Sequence, residues 1–207
     1  MKFSALLLPL AACFASAASA ATSPLTDYLS CADHSFAVVG QPPFTAQVPH
    51  TLENDHLKLQ GGSTTDLGRR WMFDTPVEVD GLRLTGFYAE DLTMMGSRII
   101  SWGFYVQQTP EQMAQTLRQA HGIELEHADG IYARPQIWDE QSGAWQPESS
   151  DATAGKLVTD TAERVLLLEP APKDLPSGSK GMLTCSLQGK ISAAALNTSR
   201  PDLKAAE

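Results

Sequence analysis

Three stretches of this chain bring together residue types that can do chemistry. Asp33-His34-Ser35 strings the acid, base and nucleophile of a hydrolytic relay along consecutive positions. A relay needs three side chains converging on one point, and consecutive residues point in diverging directions, so this run does not form one by itself. The chain contains no G-x-S-x-G elbow, no H-E-x-x-H and no phosphate-cradling glycine loop.

The second kind of chemistry is metal ligation. His50, Glu53, Asp55 and His56 fall within one short polar loop, and His121, Glu124, Glu126 and His127 form a similar group further on. In the later group, strand alternation puts Ile123, Leu125 and His127 on one face and both glutamates on the other. That is the pattern of a half-buried edge strand, not of converging ligands. Cys31-x-x-His34 lacks the second ligand pair that a structural zinc site requires.

The third is a strand pair rich in carboxylates and aromatics. With a turn at Gly96-Ser97, Asp91 falls opposite Trp102, while Tyr88, Glu90 and Tyr105 share the reverse face. Glu90 and Asp91 are consecutive in a strand and face opposite ways, which defeats paired acid–base work on a glycosidic bond. Aromatics on a strand pair more often belong to the core, and otherwise they anchor a partner. Glu53, Asp55, His56, Asp91 and Trp102 are therefore the candidate binding residues, and no catalytic residue, metal or cofactor is assigned.

The elements that must position these residues are legible locally. Asp80-Gly81 between alternating runs predicts a two-residue hairpin turn pairing Val79 with Leu82 and Val77 with Leu84, with Glu78 facing Arg83. Thr109-Pro110-x-Gln112 predicts a capped helix over 109–121, with Met113, Leu117 and Ala120 as its buried stripe and Gly122 as its left-handed stop. Ser23-Pro24 opens a short helix carrying Leu25, Leu29 and Ala32 on one side. Strands are expected in "GIELEH", "IYARPQIWD", "ERVLLLEP" and "GMLTCSLQG". The chain from 40 to 66 reads as loop with short extended pieces, and 142–156 as a Ser/Gly/Ala-rich surface excursion. The sum is an α+β domain: a mostly antiparallel sheet of about six strands with one or two packed helices.

Lys2, an apolar run and Ala18-Ser19-Ala20 predict a cleaved signal peptide over 1–20. Leu10-Ala11-Ala12-Cys13 can also be read as a lipidation signal anchoring the protein at Cys13. The ordinary length of the apolar core favours the cut after Ala20. The domain then spans 21–191, and 192–207, without apolar periodicity, is expected to be a flexible tail. Removing Cys13 leaves Cys31 and Cys185, an even pair in an oxidising compartment, which predicts a bridge closing a loop of about 150 residues. No stretch approaches the ~18 apolar residues of a membrane-spanning helix.

The chain carries a formal net charge of −9, and loss of Lys2 with the leader makes it more negative still. Arg69-Arg70 is its only basic doublet, so nucleic acid and anionic membranes are disfavoured as partners. A basic protein partner suits the charge. These features point to an exported, periplasmic or extracellular, non-catalytic binding or accessory domain of the inhibitor, immunity or envelope-assembly kind. A secreted hydrolase with scattered residues is the alternative, and a periplasmic metal-binding protein the second alternative.

Overall fold

The computed structural model describes residues 23–148, 160–175 and 178–204. The expected signal peptide, both candidate processing points and most of the 148–154 segment lie outside the described residues.

The described chain begins with helix α1 (Pro24–Tyr28), where the Ser23 hydroxyl accepts from the Leu25 amide at 3.2 Å. This helix is shorter than its apolar stripe predicts, because Cys31 adopts a left-handed φ of 52° and turns the chain away. A 3-10 turn at Ala37–Gly40 leads to a separate hairpin of β1 (His50–Glu53) and β2 (His56–Leu59). Next come β3 (Ser63–Thr64), β4 (Gly68–Val79), β5 (Leu82–Met94), β6 (Ser97–Val106) and α2 (Pro110–His121). The chain continues through β7 (Glu126–Ala128), β8 (Ile131–Asp139), β9 (Ala144–Pro147), β10 (Ala162–Pro170), β11 (Gly181–Gly189) and α3 (Ala193–Asn197).

The fold is mostly an antiparallel sheet with few helices. Among the described residues the main sheet has nine strands, ordered β3-β4-β5-β6-β11-β10-β8-β7 with β9 also paired to β8, where about six were expected. The strand expected in "GIELEH" is β7, shortened and shifted to Glu126–Ala128, while β3 and β9, two and four residues long at the edges, are additional. Short edge strands present few unpaired backbone groups, and nothing in the side-chain pattern of β3 or β9 announces them.

The β4–β5 hairpin has the expected register, Val79 opposite Leu82, Val77 opposite Leu84 and Glu78 opposite Arg83. The β5–β6 register differs. Met95 and Gly96, with φ of 53° and 81°, form the turn, so Asp91 pairs with Ile100 and Trp102 with Ala89. Moving a two-residue turn by one position shifts the register by two, which preserves the faces but changes every partner.

One face of the sheet carries Phe87, Trp102, Phe104, Leu183 and Leu187, and the three helices cover it in one continuous core. In α2 both halves of the capping box are formed, and Gly122 ends the helix at φ 65°. Met113 and Leu117 are buried as expected; Ala114 completes the stripe, and Ala120 is exposed. Cys31 and Cys185 are bonded, Cα atoms 5.4 Å apart, tying the end of α1 to β11 inside this core. The Tyr28 hydroxyl reaches the Leu183 carbonyl at 2.8 Å in the same layer.

The segment expected to be a flexible tail is folded where it is described. Ser192 caps α3, its hydroxyl accepting from the Ala195 amide, and Ala195, Leu196, Ser199 and Arg200 are buried. The short helix is held by tertiary contact, which its composition does not reveal.

Candidate functional site

The β1–β2 hairpin turns at Asn54 and Asp55, both left-handed with φ of 51° and 64°, the geometry of a tight two-residue turn. This makes Glu53 and His56 the closing pair of the hairpin. Leu57 packs beneath them into the main core, anchoring the hairpin against the sheet. Between the hairpin, the β4–β5 edge and the segment after α3 lies a cleft of about 540 Å³.

Glu53, His56 and Asp91 all line this cleft. They arrive from two separate sheets, which no local pattern could have brought together. Asp55 stands at the exposed hairpin tip and is not part of the lining. Trp102 is fully buried, one layer below, so it is a core residue and not a partner anchor.

Several of the charges at the cleft are already paired. Lys58 donates to Glu53, and that contact holds the Glu53 carboxyl below its usual range. Arg98 grips Asp91 through two bonds of 2.8 and 2.7 Å, which raises the guanidinium's own pKa, and its third prong donates to the Lys204 carbonyl at 2.7 Å. Arg200 lies 3.7 Å from the centre of the Phe36 ring and 5.2 Å from that of Trp102, and grips Asp202 at 2.8 and 2.7 Å. The floor is aromatic and aliphatic, with Phe36, Trp71 and Leu203 among its lining. The Trp71 indole donates to the Gln60 carbonyl at 2.8 Å, and Gly62 lets it in: a Cβ there would fall 2.7 Å from the indole.

Sequence reasoning missed the wall formed by Arg200 and Asp202, since it treated that segment as a tail. The only signal was Ser192 ahead of Ala-Ala-Ala-Leu, a weak N-cap.

The other chemistry-bearing runs disperse. His34 contacts Asp33 at 3.6 Å, but Ser35 is buried and donates to the Ala32 carbonyl at 2.6 Å, away from any relay. His50 turns its Nδ1 to the Val48 carbonyl at 2.8 Å. His121 lies 2.9 Å from Asp80 without the alignment of a hydrogen bond, and His127 stacks on Tyr132 with ring centres 4.3 Å apart. Among the described residues no three His, Cys, Asp or Glu side chains converge as a metal site would require. No helix among them is long and apolar enough to cross a membrane.

The fold and the cleft thus define an antiparallel-sheet domain with an aromatic-floored, charge-rimmed groove at one sheet edge. Set against protein-family models, curated proteins and solved structures, the chain matches none.

Proposed function

We propose that this protein is an exported, periplasmic, non-catalytic binding or accessory domain, of the inhibitor, immunity or envelope-assembly kind, whose cleft contacts a protein partner. One observation carries the reading: Glu53, His56 and Asp91, gathered from two sheets, border a cleft flanked by the exposed side chains of Leu52 and Leu67. Leu52 is 73% exposed and Leu67 49%, unusual for leucines, and each stands in or beside the lining. Apolar anchors ringed by polar groups are the usual anatomy of a protein contact.

Because Glu53 and Asp91 are engaged by Lys58 and Arg98, a partner meets these two carboxylates already neutralised. The net charge of −9 then acts at longer range, accelerating encounter with a basic partner.

A photo-crosslinking residue placed at Leu67 tests this in the cell envelope, with the same residue at exposed Ile131, on an edge-side strand, as control. A discrete protein adduct is expected from position 67, weakened by raised salt and lost when Glu53 and His56 are both replaced by alanine. No adduct from position 67, or equal adducts from both positions, refutes the reading.

A further inference from the structure

Two of the buried or half-buried arginines among the described residues have a carboxylate: Arg98 has Asp91 and Arg200 has Asp202. Two do not. Arg134 on β8 and Arg164 on β10 project from the helix-covered face as diagonal neighbours, since Gln136 pairs with Arg164 and Arg134 with Leu166. Arg164 is only 8% exposed. Its Nε and Nη2 both donate to Gln136 Oε1, at 3.0 and 2.8 Å, and its Nη1 donates to Ser199 Oγ at 3.3 Å. Its guanidinium sits 4.7 Å from the centre of a Trp145 ring. Arg134, half-buried, donates Nη2 to the Leu29 carbonyl at 2.6 Å.

Every acceptor in that set is neutral. Among the described residues no carboxylate stands within ion-pair distance of either guanidinium. Asp33 is near enough to act on Arg164 at longer range, but it is exposed and in contact with His34. Two adjacent cations and one distant anion leave a local excess of positive charge inside a strongly acidic protein.

We infer that Arg134 and Arg164 form a binding site for a small oxyanion, a phosphate-type or carboxylate group received beside Trp145. A guanidinium carries five N–H donors in a fixed fork matched to such groups, and both arginines keep donors that no acceptor among the described residues uses. Burial and the neighbouring Arg134 bring the Arg164 pKa down to about 10, the signature of a cation short of compensation. An oxyanion supplies that compensation. Arg134, Gln136 and Trp145 are each partly exposed, which gives it a route in from solvent.

The test is calorimetric titration of the mature protein with inorganic phosphate, sulfate and acetate at constant ionic strength, with chloride as the filler. Saturable binding of at least one oxyanion is expected. Arg134→Gln should weaken it about tenfold or more, and Arg134→Lys, which keeps the charge but loses the fork, should fall between. Preference for phosphate and sulfate identifies a phosphate-type ligand, and preference for acetate a carboxylate. If no oxyanion binds beyond chloride, or Arg134→Gln binds as wild type does, the arginines only brace Leu29 and Gln136 and the inference falls. Should Arg134→Gln not fold, Arg134→Lys carries the same comparison.

Discussion

Tyr88 and Thr184 share a hydrogen bond of 2.5 Å between their hydroxyls although a whole strand, β6, lies between them. The residue separating them is Gly103, paired with Tyr88 on one side and Thr184 on the other. A Cβ there would stand 3.0 Å from the Tyr88 ring and 2.3 Å from the Leu183 carbonyl oxygen. The missing side chain is the opening through which the tyrosine crosses. Thr184 then donates to Glu169 at 3.1 Å, so one polar chain runs over four strands on the face away from the helices. Gly103→Ala should therefore destabilise by about 1–3 kcal/mol or more through overpacking. Tyr88→Phe should cost about 1 kcal/mol for the lost bond. Urea unfolding of both variants checks the order; equal costs would mean the glycine is not needed for the crossing.

Burial raises the Glu169 pKa above the ordinary value of 4.5, and burial likewise raises Glu90 and Glu163 on the same face. A carboxyl that holds its proton more tightly when folded contributes stability that is fully present below its unfolded pKa and is lost as pH rises through the folded one. Stability from this face should decline upward from about pH 4.5. Glu169→Gln keeps an acceptor for Thr184 and removes one titration, so its melting temperature should fall less than wild type's over that range. Parallel curves for the two proteins would contradict this.

The Cys31–Cys185 bridge closes a loop of 154 residues. Replacing both cysteines by serine should lower stability by several kcal/mol, with about 5 kcal/mol as the chain-entropy ceiling. Chemical denaturation of the double variant measures it. Free thiols titrating in the unfolded, unreduced protein would show that the bridge does not form.

In α2, Thr109→Ala should cost about 1 kcal/mol through loss of the capping acceptor. Leu117→Ala should cost more, about 2–5 kcal/mol, because that side chain is fully buried on the sheet. Equal and small effects in thermal melts would mean that the helix is not docked.

Arg200 is buried between Phe36, Trp102 and Asp202, so Arg200→Ala leaves an acid without its cation and two rings without their cover. A loss of about 3 kcal/mol is expected. Amide exchange over residues 192–204 should be slow in the wild type and fast in the variant; fast exchange in both would restore the flexible tail.

What the sequence determined by itself is whatever depends on neighbours a few residues apart. The Asp80-Gly81 turn, the Thr109–Gln112 capping box and the Gly122 stop are written in adjacent residues whose backbone preferences act before any tertiary contact forms. The pairing of Cys31 with Cys185 also followed from sequence, as the one choice left once a cleaved leader is expected to remove Cys13. The tertiary structure decided the rest, since long-range packing chooses among conformations that local preferences leave nearly equal. Met95-Gly96 and Gly96-Ser97 are both acceptable turns, and it is the β6–β11 pairing that sets Trp102 level with Cys185 and hence in the core. The edge strands exist only because β4 and β8 offer them backbone partners. The cleft follows the same logic. Glu53 and His56 were visible as a polar cluster, Asp91 as a lone carboxylate among aromatics, and Arg200 not at all. They share one surface because an apolar residue, Leu57, pins the hairpin to the sheet while Arg98 and Arg200 pin the chain's last described residues across it.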